Sequence, residues 1–499
     1  MSQIKVSAPI ALRCCESILI LSAQVMVHRR QIASHRVDCF RSGLFVARLE
    51  TIDKMRGASM KLQGLFFVAA SIVSSSQLSV GGIMGPTPST GGNNVVQTVS
   101  FQMTPPTKHS ADLVTLNQSD VAPIKIASDG GLKRWLRGFK RRAAKAGIDQ
   151  RVLETALDGI IYDTDIIERD RNQSEFTKTI WDYLKTAVSD TRISNGKVAL
   201  AKHQKTLSAI EGKYGVDKEV VAAIWGLESA YGSFRGSNGV IQSLATLAYD
   251  GRRGAFFEEQ LIAALKIIQK GDTTPENMTG SWAGAMGHTQ FIPTSFLEYA
   301  VDFTGDGKRD IWSDDPTDAL ASTAAYLKKF GWKTGQPWGA EVSIPNGFNF
   351  TLANRAITKR PSDWAKLGVK GVNGSVSNHG PAAVLLPAGA DGAAFLIFDN
   401  FSVIEKYNTA DAYVIGVGHL SDRLQGAPAI KSGWPIWDRA LTFVERQEMQ
   451  RRLTAQGFDT EGVDGLIGPK TLNAVRAFQL SKSLRPDGYA SLGLLKKIR

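Results

Sequence analysis

The sequence is poor in cysteine. Of its 499 residues only three are cysteines, and these three (Cys14, Cys15 and Cys39) all lie within the first 40 positions. The chain beyond them therefore has no disulfide framework, no thiol nucleophile and no cysteine metal site.

Long hydrophobic runs are also missing. No stretch of about 20 apolar residues occurs in the part expected to fold, so no membrane span is predicted there. A hydrophobic content of 43% is ordinary for a globular protein, and 499 residues suffice for about three domains. The formal net charge is +12, of which the first 61 residues carry half. This basic excess suits an acidic polymer but does not identify one.

The N-terminal region has the pattern of a secretory signal. Basic residues precede a short apolar segment that begins near Met60, and small polar residues follow it. We expect residues 55–80 to form a signal peptide, translation to start at Met55 or Met60, and residues 1–54 to be a non-native extension. No cysteine follows the apolar segment, which excludes lipid attachment there, and the expected location is the periplasm. A short buried helix is the alternative.

The rest of the chain divides by composition. Residues 81–125 are rich in Ser, Gly, Thr and Pro and are expected to form a disordered linker. Helical periodicity predicts a mainly α domain over 126–430, interrupted between 340 and 400 by short apolar runs that predict a small β insertion. A linker over 431–440 leads to a separate helical unit over 441–499.

One helix carries the clearest chemical signal. Apolar residues recur at helical spacing from Val220 to Tyr231, and Asp217 can cap the start. Glu228 lies on or beside the apolar stripe, where neighbours such as Trp225 cannot pair with a carboxylate. Burial is therefore expected to raise the pKa of Glu228 and to suit it for general acid catalysis on a glycosidic oxygen. A solvated Glu on the edge of an amphipathic helix is the alternative.

Three strings resemble the lytic murein transglycosylase B family. They are VAAIWGLESAYG at 221–232, VIQSLATLAYDGRR at 240–253 and GSWAGAMGHTQFIP at 280–293. The resemblance runs from about Leu132 to Arg423 and implies a lysozyme-like α-helical catalytic region. It also implies an enzyme that cuts the MurNAc–GlcNAc bond of peptidoglycan without water or a required cofactor, with Glu228 as acid and then base.

The resemblance further implies a set of residues that bind the glycan. Aromatic faces would stack on sugar rings, while amides and hydroxyls would bind N-acetyl groups; taken singly, each tyrosine is more often a core residue. The implied residues are Ser281, Gln290, Arg252, Arg253, Tyr326, Tyr407, Asn408 and Tyr413. The Gly- and Ala-rich composition around Ser281 also fits tight helix packing with no ligand.

The segment from Asp302 to Trp312 matches the first half of an EF-hand loop. Oxygen ligands occur at alternate positions and a glycine at the sixth, but the twelfth residue is Ser313 rather than Glu. The resemblance implies a structural calcium with a late ligand at Asp318, which two extra residues are expected to displace. A turn held by Asx hydrogen bonds, without metal, is the alternative. The candidate ligands are Asp302, Thr304, Asp306, Lys308 through its main chain, and Asp318.

The C-terminal unit resembles the three-helix peptidoglycan-binding domain. The strings DGLIGPKT at 464–471 and AVRAFQ at 474–479 carry the resemblance, and no charged catalytic cluster accompanies them. We expect it to be an anchor that raises the local concentration of wall polymer at the active site.

Two other functions remain open at this point. One is a lysozyme-like hydrolase of the same bond, with a distant acid such as Asp250 as the base. The other is a non-catalytic wall-binding scaffold, in which Glu228 would have no role. The expected partner is the glycan strand of peptidoglycan rather than nucleic acid, while protein partners in wall synthesis or division are not identified by the sequence.

Overall fold

The computed structural model describes residues 129–171 and 178–499, together with two short strands, β1 (Leu19–Ile20) and β2 (Val68–Ala69), which pair antiparallel. Apart from these strands, the expected extension, signal peptide and disordered linker lie outside the described residues. Among the described helices, none combines the length and hydropathy that a membrane crossing requires.

The first part of the described chain is helical. Its helices are α1 (Asp129–Lys145), α2 (Gln150–Ala156), α3 (Thr164–Arg171), α4 (Ile180–Ala187), α5 (Asp190–Lys202), α6 (Gln204–Tyr214), α7 (Lys218–Ser229), α8 (Val240–Asp250), α9 (Gly254–Gln269), α10 (Pro293–Tyr299) and α11 (Thr317–Lys329). Two short strands, β3 (Asn238–Gly239) and β4 (Thr279–Gly280), pair antiparallel and join the segments before α8 and before α10.

A small sheet and two more helices complete this region. The elements are β5 (Gly339–Ser343), α12 (Pro361–Lys366), β6 (Lys370–Gly371), β7 (Ala383–Leu385), β8 (Ala394–Ile397), α13 (Asp399–Tyr407) and α14 (Asp411–Leu424), with 3-10 helices at Phe350–Leu352 and Gly389–Asp391. The strand order is β6-β5-β8-β7, and every neighbouring pair is antiparallel. The expected mainly α region with a β insertion is confirmed.

Helix α7 lies at the centre of the core. Every residue from Val220 to Ser229 is buried, so the helix is covered on all sides instead of presenting one apolar stripe. Helices α14, α5, α6 and α11 pack against it. Asp217 occupies the N-cap position, but its carboxylate accepts the indole N–H of Trp332 at 3.1 Å, so the predicted side-chain cap is wrong.

The C-terminal unit has a core of its own. It contains α15 (Phe443–Ala455), α16 (Pro469–Ser481) and α17 (Leu492–Ile498), whose apolar residues form a separate cluster around Phe478. Thr442 and Glu445 form a capping box at the start of α15. The expected three-helix unit is therefore present.

This unit also contacts the β insertion. Arg485 pairs with Asp391 at 2.7 Å, and the main-chain N–H of Ala390 donates to the Asp487 carboxylate at 3.1 Å. Arg476 donates to the main-chain oxygen of Ala353 at 2.8 Å. These contacts join the C-terminal unit to two 3-10 segments of the β insertion, near Ala353 and Ala390.

Candidate active site

Glu228 lies in the last turn of α7 and is completely buried, with 0% of its surface exposed. The helix ends at the next residue because Ala230 and Tyr231 adopt left-handed backbone angles, with φ of 49° and 59°. The N–H of Ala230 donates to Gly226, and that of Tyr231 to Trp225, which closes the helix end. The burial matches what the sequence indicates, while the catalytic role stays a prediction.

Tyr413 contacts the Glu228 carboxyl directly. Its hydroxyl donates to Oε1 of Glu228 at 2.6 Å, and its side chain, on α14, is 2% exposed. Burial and the neighbouring Glu228 charge raise the pKa of Tyr413 well above its usual value, so its hydroxyl remains a donor at neutral pH. The sequence prediction of a glycan-binding role for Tyr413 did not foresee this contact with the acid.

Tyr183 on α4 is a further member of the site that the sequence reasoning missed. Burial, and then the charge of Glu228, raise its pKa, which places this ring in the electrostatic field of the carboxyl. The Tyr183 ring packs where Gly416 leaves space on α14, since a Cβ there would lie 3.1 Å from it. Nothing in the local sequence marks it, because it is one of two aromatic residues in an ordinary amphipathic helix.

Tyr326 and Tyr407 form an aromatic cluster behind Tyr413. Their rings contact at 5.2 Å, and Tyr407 is nearly parallel to Tyr413 at 6.5 Å. Both are 0% exposed, and their hydroxyls donate to the main-chain oxygens of Lys406 and Thr289. Both rings are buried in this conformation and pack beside Tyr413, and their expected stacking on sugar rings stays a prediction.

The segment that contains Ser281 and Gln290 is held by close backbone contacts. Ser281 Oγ accepts the N–H of Ala285 at 3.0 Å. Gln290 has a left-handed φ of 54°, and its amide nitrogen donates to the main-chain oxygens of Gly287 and Arg235 at 2.8 and 3.0 Å. A Cβ at Gly287 would lie 2.2 Å from a main-chain oxygen. The small residues therefore permit tight packing, and the amide nitrogen of Gln290 is committed to the loop.

Arg252 and Arg253 both bind Asp170, a residue that the sequence reasoning missed. Arg252 forms a bidentate pair with the Asp170 carboxylate at 2.6 and 2.7 Å, and Arg253 adds a contact at 2.6 Å. Burial opposes ionisation of Asp170, but the two guanidinium groups hold its pKa below the usual value. The Arg252 side chain stays 49% exposed, so it remains accessible to an anionic ligand.

Asn408 and Asp250 have structural contacts as well. Asn408 is 5% exposed and accepts the N–H of Ala410 at 3.0 Å, which forms a turn before α14. Asp250 accepts from Arg171 at 2.7 Å and from the Tyr162 hydroxyl at 3.3 Å. Asp250 therefore holds α3 and the segment before it against the end of α8.

The loop after α10 brings three carboxylates together. Ligand atoms of Asp302, Asp306 and Asp318 all lie within 4.8 Å of one another. Asp318 Oδ1 accepts the N–H groups of Phe303 and Thr304, and its Oδ2 accepts that of Asp310. The expected displacement of Asp318 by two extra residues is therefore wrong, because the chain accommodates them before α11 begins.

The carboxylates of this loop accept hydrogen bonds from its main chain and side chains. Main-chain N–H donors, first that of Gly305, lower the pKa of Asp302, whereas burial raises the pKa of Asp318. Thr304 Oγ1 donates to Asp302 at 3.2 Å, and the N–H of Lys308 donates to Asp306 at 2.9 Å. Three clustered carboxylate ligands form the kind of oxygen site that calcium prefers, so the donor set fits that ion.

Known proteins with related sequences and structures share this architecture. The SltB3 structure from Pseudomonas aeruginosa in complex with NAG-anhNAM-pentapeptide is 48% identical, with a TM-score of 0.71 over 74% of this chain and 99% of that one. The Escherichia coli Slt35 structure in complex with calcium is 28% identical, with a TM-score of 0.50 over 60% of this chain and 94% of that one. The expected lysozyme-like catalytic region agrees with these neighbours.

Sequence comparison gives the same result. Membrane-bound lytic murein transglycosylase B of Escherichia coli (strain K12) is 32% identical over 247 residues, which are 48% of this chain and 65% of that protein. The match thus spans slightly less than two thirds of that relative's length. The transglycosylase SLT domain model matches residues 131–422, and a peptidoglycan-binding domain model matches residues 444–498. The chain therefore belongs to the SLT-domain lytic transglycosylase family.

Proposed function

We propose that this protein is a peptidoglycan lytic transglycosylase with Glu228 as its single catalytic acid and base. The observation that carries the proposal is the buried Glu228 carboxyl held by the Tyr413 hydroxyl at the end of α7. Burial favours the protonated form that a general acid needs, and the hydrogen bond fixes the direction of the carboxyl.

The reaction uses Glu228 twice. The protonated carboxyl first donates its proton to the glycosidic oxygen between MurNAc and GlcNAc, and the bond breaks with GlcNAc as the leaving group. The resulting carboxylate then accepts the proton of the MurNAc C6 hydroxyl, whose oxygen closes a 1,6-anhydro ring. Tyr413 stabilises the carboxylate between these steps because it donates to the charged form. The bound anhydro-sugar in the SltB3 structure is a ligand of the kind that this reaction would produce.

A second carboxylate is not needed for this chemistry. An ordinary glycosidase uses two because water or an enzyme residue attacks the sugar. Here the nucleophile belongs to the substrate, and Asp250 is bound to Arg171. This favours a transglycosylase over a hydrolase. A wall-binding scaffold would gain nothing from a buried acid, since burying a carboxyl is costly.

Among the residues expected to bind the glycan, Arg252 has an accessible side chain, whereas Gln290 and Asn408 are buried in this conformation. We propose that Arg252 and Arg253 bind an anionic part of peptidoglycan, and that Ser281, Gln290 and Asn408 bind the glycan through hydroxyl and amide groups. Glu228 is shielded from solvent, so glycan binding must open the surrounding side chains locally.

We propose that the loop with Asp302, Asp306 and Asp318 holds a structural calcium ion, with Thr304 and the main chain of Lys308 as further ligands. The ion would neutralise the clustered charge and stabilise the loop. It takes no part in the chemical step, which needs no cofactor.

The C-terminal unit would bind peptidoglycan and hold the enzyme on its polymer. Action on the cell wall agrees with a location outside the cytoplasm, and the periplasm is the location that we propose. The boundaries given above, 126–430 for the catalytic domain and 441–499 for the anchor, are likewise proposals.

Mass spectrometry of the products from purified sacculi tests the proposed function. The proposal predicts muropeptides with 1,6-anhydro-MurNAc ends. Reducing MurNAc ends would instead establish the hydrolase, and intact glycan bound to the protein would establish the scaffold.

A further inference from the structure

His288 uses all four of its hydrogen-bonding groups. Its main-chain N–H donates to Ile311 at 3.2 Å, and its main-chain oxygen accepts the Ser229 hydroxyl at 2.6 Å. In the ring, Nδ1 accepts the indole N–H of Trp225 at 3.1 Å, and Nε2 lies 2.8 Å from the main-chain oxygen of Ser313. The residue is 3% exposed.

These contacts define the tautomer of the ring. The Trp225 indole can only donate, so Nδ1 of His288 must be the unprotonated nitrogen. The proton then lies on Nε2 and points to the Ser313 oxygen. Arg235 Nη1 lies 3.1 Å from Nε2, but it donates to the same Ser313 oxygen at 2.9 Å. Nε2 is therefore not needed as an acceptor for Arg235. Burial lowers the pKa of His288 to about 4, which agrees with a neutral ring.

Apart from Arg235, the partners of His288 fall into two groups. Trp225 and Ser229 belong to α7 and lie on either side of Glu228 in the sequence. Ile311 and Ser313 belong to the segment that follows the carboxylate loop. The histidine thus connects the end of the helix that carries the acid to a segment about 80 positions later in the chain.

Two glycines, Gly232 and Gly287, allow the backbone to pack closely around the His288 ring. A Cβ at Gly232 would lie 2.6 Å from the His288 ring, and one at Gly287 would lie 2.2 Å from the Ile311 oxygen. Both glycines have left-handed backbone angles, with φ of 85° and 70°. The ring is therefore enclosed between the turn after α7 and the loop segment.

We propose that His288 is a positioning residue that fixes the last turn of α7, and with it the Glu228 carboxyl, against the 311–313 segment. This inference rests on the proposed function of Glu228. In it, His288 does not touch the substrate or transfer a proton. It supplies one acceptor and one donor at a fixed separation, so that the end of α7 cannot rotate when the glycan binds.

Three substitutions separate the two ring contacts. His288→Phe replaces the imidazole with a phenyl ring and removes both contacts. His288→Asn retains an acceptor near the Nδ1 position, and His288→Gln retains a donor near the Nε2 position. On soluble glycan we expect kcat of His288→Phe to fall about 10- to 100-fold with KM within about twofold of the parent, because small displacements of a catalytic group cost rate rather than affinity. His288→Asn should retain more activity than His288→Gln, since it keeps the Trp225 contact.

Two further variants separate positioning from plain stability. Trp225→Phe removes the indole donor, and adding it to His288→Phe should cost much less than the product of the two single losses. Leu153→Ala, in the core at α2, should lower the melting temperature but leave kcat unchanged well below it. If His288→Phe loses stability like Leu153→Ala while keeping kcat within about twofold, the inference is wrong.

A spectroscopic measurement covers the case in which a variant does not fold. In the intact parent protein labelled with ¹⁵N-histidine, the His288 ring should be neutral and protonated at Nε2 at pH 7. A charged ring, or a proton on Nδ1, would overturn the inference. This result does not depend on which residue is catalytic, whereas full activity of Glu228→Gln would overturn the proposed function alone.

Discussion

The Tyr413 hydroxyl donates to Oε1 of Glu228 at 2.6 Å, although the two residues are 185 positions apart in the sequence. The contact joins α14 to the end of α7 and is buried on both sides. It gives the acid one fixed donor that favours its ionised form, so the carboxylate that remains after the first proton transfer is stabilised.

Tyr413→Phe removes that donor while keeping the ring. We expect kcat to fall roughly 10- to 100-fold, since a hydrogen bond to a charged group contributes about 1.5 to 3 kcal/mol. Because the ionised form of Glu228 loses its donor, the decline of activity at alkaline pH should move to higher pH. Rates on soluble glycan over a pH series measure both effects, with Tyr489→Phe in the C-terminal unit as the matched control. An unchanged pH profile together with an unchanged rate would contradict this role.

Asp422 on α14 gives the protein a predictable pH dependence of stability. Its carboxyl accepts the Trp338 indole N–H at 2.9 Å, and burial raises its pKa to about 7. A carboxyl whose pKa is higher in the folded state stabilises the fold at low pH and loses that contribution as pH rises. The parent should therefore lose stability relative to Asp422→Asn between about pH 4 and pH 7.

Urea unfolding of both proteins over this pH range measures the difference. Asp158→Asn, at an exposed position, controls for the loss of one negative charge. If the free energy of unfolding changes with pH in the same way for the parent and Asp422→Asn, the prediction is wrong. The Asp422 carboxyl would then have the same pKa in the folded and unfolded states.

The carboxylate loop should respond to calcium. Millimolar calcium is expected to raise the melting temperature of the parent, because the ion binds the folded loop and not the unfolded chain. Asp306→Ala should abolish the increase, while Asp158→Ala should preserve it. If calcium has no effect on the parent, the loop is a turn held by its Asx hydrogen bonds.

The C-terminal unit should be dispensable for bond cleavage but not for wall attachment. A chain that ends at Ser432 is expected to cleave soluble glycan at a rate close to the parent while binding sacculi more weakly. Co-sedimentation with sacculi measures the binding. Arg485→Ala removes the ion pair with Asp391 and the Arg485 contacts with Asp487 and the Phe350 ring, and serves as a comparison. Loss of cleavage by the shortened chain would show that contact with the β insertion shapes the active site.

The sequence was sufficient for features that depend on local patterns. Helical spacing placed Glu228 inside α7. Apolar runs separated by turn residues predicted strands β5, β7 and β8. These features follow from the periodicity of 3.6 or 2 residues, which a single segment reveals.

Contacts between distant segments could not be predicted in this way. Asp170 lies 82 positions from Arg252, and no local pattern marks it as the partner of that arginine. The full burial of Tyr326 depends on packing between α11 and α13, which no local pattern in the sequence reveals. The displacement of Asp318 is expected from the two extra residues that precede it in the sequence. Counting residues in this way does not show how the loop folds around them.

The most direct test of the account is the product analysis of Glu228→Gln on intact sacculi, with Asp250→Asn as the matched control. Gln keeps the shape of the side chain but cannot donate or recover a proton. Removing a general acid costs about two to four orders of magnitude in rate, and a residue with both duties should reach the upper end. The account predicts that Glu228→Gln binds glycan, stays folded and yields almost no anhydro-muropeptides, while Asp250→Asn remains active. Turnover by Glu228→Gln within about tenfold of the parent would contradict it.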